Sequence, residues 1–443
     1  MARFSTLKMC MCLATAFLCV CNVGAQDVVH ISVEDAVRQC VSGNLSLQQS
    51  AIGVSTAERA KNTAWNSLSP SMGVNAGITK SGVPTVFDSE IQDTEDSNPA
   101  SVSVGASVKF GLSPSIATSV KGAKLKYEKQ LIDFDTAAKN IELQVRKAFY
   151  GLLYEQEQIA LQRSNAETAK NQYDSNQTKY NRGLLPRLDV LNSQIAWQNA
   201  KLSLASAETS LSNDIATFKH LLGLDIHQDI VLDGDLGDFL DKTNVSTDAN
   251  ARTTGTIASL EKNIEIAKNS LLATRLTAYA PSVTAGYSYT QGVKTDDWNN
   301  WSGGGSLSVG ISLPLDGFLP WSSGAQSVKN QIDNLKTLQL QLQDAKITQE
   351  IHAEQYANKI KQLESTIALR QQTISFAEES YKLTLDAYNA GTRDLLSLQS
   401  ARDSLLQAQV SLKGEVYSLI SAVLDLEDTL GVPFGTLMGE KEL

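Results

Sequence analysis

Proline, histidine and aromatic residues are all scarce in this 443-residue chain: 9 prolines, 4 histidines and 6% aromatics. So few aromatics leave little to fill large globular cores. The long middle stretches, rich in Gln, Asn, Ser, Ala and Leu, read instead as solvated helices with narrow apolar seams. The histidines, His30, His220, His227 and His352, are scattered. No phosphate-binding loop and no metal-spaced cluster accompanies them, so no catalytic site, metal or cofactor is expected. Basic charge is also short: a net charge of −10 argues against nucleic acid as a partner, because such proteins carry basic patches. Beyond the N-terminus no stretch approaches the roughly 18 uninterrupted apolar residues of a membrane-spanning helix. Cysteine is nearly confined to the first residues: Cys10, Cys12, Cys19 and Cys21 precede a lone Cys40, which has no partner for an internal disulfide.

The N-terminus supplies what the rest lacks. "MARFSTLKMCMCLATAFLCVCNVGAQ" sets Arg3 and Lys8 before an apolar run from Met9 to Val23 and a small-residue "VGA" before Gln26. Residues 1–25 therefore read as a secretory signal cut after Ala25. Lipidation at Cys19 or Cys21 is the alternative, but Leu18 and Val20 stand where a lipobox prefers a small residue.

The exported part repeats itself. At an offset of 208, Tyr173 meets Tyr381, Tyr180 meets Tyr388, Gly183 meets Gly391 and Gly223 meets Gly431. Two copies of one unit follow, over 26–223 and 251–431, joined by an inter-repeat segment at 224–250 and followed by a tail at 432–443. Each copy contains a helix of unusual length, from about Ile116 to Lys179 and from about Ser323 to Ala387, roughly 95 to 100 Å at the α-helical rise. Apolar residues recur every seven: Val145, Leu152, Ile159, Ala166, Tyr173, Tyr180 in one copy, and Ala353, Ile360, Ile367, Ile374, Tyr381, Tyr388 in the other. After "YNRGLLPRLD" and "YNAGTRDLL" the habit returns, with Val190, Trp197, Leu204, Leu211, Phe218 and with Leu398, Leu405, Leu412, Leu419, Leu426. A sustained period of seven means coiled-coil packing. Gly183 and Gly391 then mark the tips of two helical hairpins, at about 180–188 and 388–396, with Pro186 in the first turn of the descending helix.

Between the opening helix, about Ser32 to Trp65, and the long helix after it, the period drops to two. "MGVNAGIT" and "SVSVGASVKFGL" alternate apolar with small polar residues, as do the stretches around Val283–Tyr289 and Leu307–Leu313. Strands are expected at about 70–80, 100–112, 281–291 and 304–315. Four strands could form half of a soluble sandwich, but nothing remains to pack on the apolar face, and two edges stay open. An apolar exterior with a Gly/Ser/Thr interior is the pattern of a membrane barrel, and four strands per chain close one only with further copies. Three copies give twelve strands. The acidic loop "DSEIQDTEDSN" from Asp88 would face the exterior, and Trp298 and Trp301 would lie in the aromatic belt or in ordinary loop packing.

Taken together, "ISVEDAVRQCVSGNLSLQQS", the Pro junctions "NSLSPSMGV" and "TAYAPSVTA", and the turn "YNAGTRDLL" resemble the TolC-like outer-membrane efflux proteins across the whole mature chain. The resemblance implies a mixed membrane α/β fold: a homotrimer with a 12-stranded β-barrel in the outer membrane, embedded in its lipid and continued by a long α-helical coiled-coil tunnel through the periplasm. It implies a passive exit duct without enzymatic activity, docked to a periplasmic adaptor and an inner-membrane transporter, with a gate at the helix tips. Matched by motif, Asp189, Arg393 and Tyr388 take the gate positions, and Gly183, Leu184, Leu185, Gly391 and Thr392 the adaptor contacts. Ser397 and Ser400 stand where better-known members carry the acids of the tunnel entrance. The rival from another class is a periplasmic coiled-coil adaptor, which carries one such hairpin where this chain carries two.

Overall fold

The structure, a computed structural model, describes residues 29–80, 100–239 and 253–437. The signal segment, Cys19, Cys21 and the acidic loop from Asp88 lie outside them. The described residues form α1 (Val33–Gly43), α2 (Leu45–Thr63), strands β2 (Ser71–Thr79) and β3 (Ser101–Leu112), α3 (Ser115–Asn181) and α4 (Arg187–Leu222). The order then recurs with α5 (Gly255–Tyr279), β5 (Ser282–Lys294), β6 (Ser302–Ser312), α6 (Ser323–Asn389) and α7 (Leu395–Leu430). Two short strands absent from the sequence reading, β1 (Val29–Ile31) and β4 (Ile230–Leu232), pair in parallel, His30 opposite Val231. The chain divides into two compact units: one comprises 1–44, 145–238 and 376–413, the other 45–144, 239–375 and 414–443.

In the second unit, β2, β3, β5 and β6 form one antiparallel sheet in that order. Its register places Met72, Val108, Tyr287 and Leu307 in one row across the four strands. Because side chains alternate across a strand, every such row falls on the same face, and Val74, Ile78, Val309 and Ile311 are exposed there. The opposite face is small and polar: Asn75, Gly105, Thr290 and Gly304 form one of its rows. A side chain at Gly105 would crowd Thr290 Oγ1 and Asn75 Oδ1 at about 3 Å. Polar anchors tie the helices of this unit. Lys262 bridges Glu128 (3.1 Å) and Glu265 (2.7 Å), and Asn269 Nδ2 donates to the Thr118 carbonyl at 2.8 Å. The buried Glu427 carboxylate accepts the backbone N–H groups of Gly435 and Leu437.

In the first unit the expected opening helix is interrupted. Ser32 and Asp35 form a capping box that starts α1, but the helix stops at Gly43. There its backbone lies against Gly223, so closely that a Cβ on either would collide with the other strand of chain. Asn44 Nδ2 donates to the Leu221 carbonyl (2.9 Å), which also receives the Cys40 thiol. Phe149, Phe218 and Leu222 are fully buried in this unit.

Both long helices have 67 residues, about 100 Å at 1.5 Å per residue. Their seam behaves as the period of seven predicts along most of its length: Val145, Leu152, Ile159, Ile360 and Ile367 are buried. Tyr180 is the exception: it is exposed, where the seam pattern expects burial. The equivalent Tyr388 of the second copy is buried.

Candidate functional site

The two hairpin tips are built alike and furnished differently. Each ascending helix ends on a left-handed glycine, Gly183 and Gly391, both with φ near 74°. Gly183 N–H donates to Tyr180 O (2.8 Å) and Leu184 N–H to Lys179 O (2.9 Å), while Gly391 and Thr392 repeat these bonds to Tyr388 O and Ala387 O. This is the Schellman arrangement, which satisfies the last carbonyls of a helix and needs a positive φ that glycine alone adopts without strain. The Tyr-Asn-x-Gly motif is thus a helix stop.

The restarts differ. Pro186 caps α4 with no side-chain bond, one residue earlier than the sequence reading placed it. At the second tip Asp394 accepts the Ser397 N–H at 3.0 Å. A hydrogen bond from the Ser397 side chain, and after it this backbone bond, holds the Asp394 carboxyl below its ordinary pKa.

Around the tips, Tyr388 is 7% exposed and Tyr180 39%. Tyr388 packs with Leu395 and Leu398, and its hydroxyl donates to Asn176 Oδ1 at 2.8 Å, linking α6 to α3. Gln172 Nε2 donates to the same oxygen at 2.9 Å. Asn176 is fully buried, and its Nδ2 has no acceptor. Burial, helped by the Asp189 charge, pushes the Tyr388 phenol above its usual pKa despite the bond to Asn176.

Asp189 lies on a groove of about 630 Å³ that also takes in Asp394, Arg402 and Asp403. Arg393 is exposed, and the ion pairs among the described residues do not include one between Asp189 and Arg393. Leu184 is exposed and Leu185 half-buried. Ser400 is exposed near the start of α7, and Ser397 half-buried.

Sequence reasoning missed Asn176, Gln172 and Arg402. Arg402 is largely covered and bonds Asp403 at 3.3 Å. It also lines a void of about 10 Å³ with Gln172, Ser193 and Gln399, room for about one water. The signal for Asn176 was present: it follows Tyr173 by three, at the alternate seam position of the seven-residue repeat, where a polar residue fixes register.

Two helical hairpins and a four-stranded sheet with one apolar face define a chain of the outer-membrane channel class. A family model described as "Outer membrane efflux protein" matches residues 36–224 and 256–432, and the chain belongs to that family, whose place is the outer membrane. It is 22% identical over 307 residues to the outer membrane protein TolC of Vibrio cholerae, covering 65% of this chain and 67% of that one. Among solved structures it is similar to the Campylobacter jejuni CmeC outer membrane channel, with a TM-score of 0.70, 16% identity, and 90% of this chain and 85% of that chain covered. It is similar also to VceC of Vibrio cholerae, with a TM-score of 0.67, 15% identity, and coverage of 91% and 96%. The open state of the Neisseria gonorrhoeae MtrE channel gives a TM-score of 0.64 at 17% identity, with coverage of 90% and 89%.

Proposed function

We propose that the chain is one third of an outer-membrane exit duct. Three copies complete a twelve-stranded barrel, and the helices continue it into the periplasm as a tunnel. Substrates pass without chemistry from an inner-membrane transporter and a periplasmic adaptor to the exterior. The observation that carries this reading is the exposed apolar face of a sheet whose other face is Gly, Ser, Thr and Asn with Lys109 and Lys294. Such a sheet suits lipid outside and water inside. A second apolar stripe favours self-association: Leu369, Phe376 and Leu383, seven apart on α6, are all exposed, as coiled-coil positions awaiting another copy are. Family membership argues against the adaptor alternative.

The periplasmic gate of this reading lies at the tips. The Tyr388–Asn176 bond is its neutral latch within the chain, while Asp189 and Arg393 serve contacts formed only in the assembled trimer. Gly183, Leu184, Leu185, Gly391 and Thr392 receive the adaptor, and Ser397 and Ser400 give the entrance an uncharged lining. Purified protein in detergent should be a trimer that conducts ions across a planar bilayer. A non-conducting, water-soluble monomer overturns the reading.

A further inference from the structure

The apolar face of β6 does not end with the strand. Its alternation, Leu307, Val309, Ile311, continues through Leu313 and Leu315, and the loop before α6 adds Phe318, Leu319 and Trp321, all exposed. The loop is built. Phe318 N–H donates to Leu315 O (3.2 Å) and Ser322 N–H to Leu319 O (3.0 Å). Ser322 Oγ caps α6 through the Ala325 N–H, and Gln326 Nε2 donates to Pro320 O at 3.0 Å. Gly317 presses backbone-first onto Ala278, where no side chain would fit. Phe318 rests one ring edge on Tyr279, 5.3 Å between centroids, and leaves the rest of its surface free. A loop this well bonded has no need to expose large apolar groups unless something covers them.

At the opposite end of β6, Gly303, Gly304 and Gly305 carry no apolar side chain at all. The exposed apolar run therefore begins at Leu307, past the glycines, and continues beyond the strand's end at Ser312 to Leu315, so it is displaced toward the helices. We infer that residues 313–321 are an interfacial anchor, seated in the phospholipid leaflet on the helix side of the barrel, with Trp321 at headgroup depth. Lipid is favoured over a second copy because Leu313 and Leu315 continue the sheet's face, whereas a neighbouring copy would join at the strand edge by backbone bonds. Tryptophan at the end of an apolar run, followed by Ser322 and Ser323, is the composition of a membrane boundary.

This inference rests on the outer-membrane reading, and the test separates the two. The full chain, with Trp65, Trp197, Trp298 and Trp301 replaced by Phe, is reconstituted in phosphatidylethanolamine/phosphatidylglycerol vesicles. These contain lipids brominated either near the headgroup or near the chain end. Trp321 emission should fall several-fold with the shallow quencher and much less with the deep one. A companion protein also carries Trp321→Phe and Leu307→Trp, which reports the strand face. Quenching at 307 without quenching at 321 overturns the anchor, whether the Trp321 emission is that of water or of a site covered by a second copy. Quenching at neither overturns the outer-membrane reading with it. If the multiple replacement does not assemble, the same quantity is read as the difference between wild type and Trp321→Phe.

Discussion

The two hairpin tips share a helix stop and differ in what stands beside it. At the first, Tyr180 faces solvent and the restart rests on a proline. At the second, the equivalent Tyr388 is buried, bonded to Asn176 of α3, and the restart is capped by Asp394. The two copies thus share the backbone of the turn, and the buried tyrosine bond is seen at the second. The asymmetry teaches that the same motif is buried or exposed according to the groups facing it: Asn176, Leu395 and Leu398 meet Tyr388, while Tyr180 stays exposed.

The sharpest way to break the comparison is to truncate both tyrosines. Tyr388→Ala should weaken the closed tip by about 3 kcal/mol, the cost of deleting a buried ring, and raise single-channel conductance markedly. Tyr180→Ala should do neither, and equal effects would dissolve the distinction. Tyr388→Phe isolates the hydroxyl. A net hydrogen bond of about 1 kcal/mol corresponds to roughly a fivefold gain in open population, measurable as open probability, with Tyr180→Phe silent. Because burial raises the Tyr388 pKa, the phenol stays neutral through the ordinary tyrosine range and the bond is lost only as pH rises beyond it. Open probability should therefore be flat from about pH 5 to 8. Asn176→Asp should convert this to a rise in opening with pH, since a fully buried carboxyl is tolerated only while protonated.

A smaller effect is expected at the restart. The depressed Asp394 pKa means that its stabilisation is fully present above the carboxylate's unfolded value and lost as pH falls through the lower folded value. Asp394→Ala should lower thermal stability slightly at neutral pH and not in acid. Smallest is Arg393→Ser, exposed within the chain: if Arg393 meets Asp189 across the trimer, conductance rises modestly and the rise fades at high salt. No change leaves Tyr388 and Asn176 as the latch.

Much of this was legible in the residues. The period of seven located α3, α4, α6 and α7, and the period of two located the sheet, because both report which face a residue presents to its neighbours. The strand ends moved by a few residues, β5 running on to Lys294 where an end near 291 was expected, since pairing with β3 continues past the alternation. What stayed hidden depends on contacts distant in sequence. Gly43-Asn44 is a helix-stop pair in the sequence, but the close approach of Gly223 that leaves no room for a side chain at position 43 is not readable there. The β1–β4 pair is three residues long, too short for any period to register. Tyr180 is exposed against its seam pattern because burial at a hairpin tip is decided by the groups that face it. Asn176 is the intermediate case: its seam position was readable, but its partner on the other copy was not.

The β1–β4 pair sets an order of events in biogenesis. Val29–Ile31 is among the first structured residues to emerge, yet its partner, Ile230–Leu232, follows only after the whole first hairpin. Closing a loop of about 200 residues is slow compared with winding a helix. The first hairpin must therefore form while its N-terminal end is untied, and the clasp seals it afterwards. A chain halted before Ile230 would leave the backbone of Val29–Ile31 without the strand it pairs with.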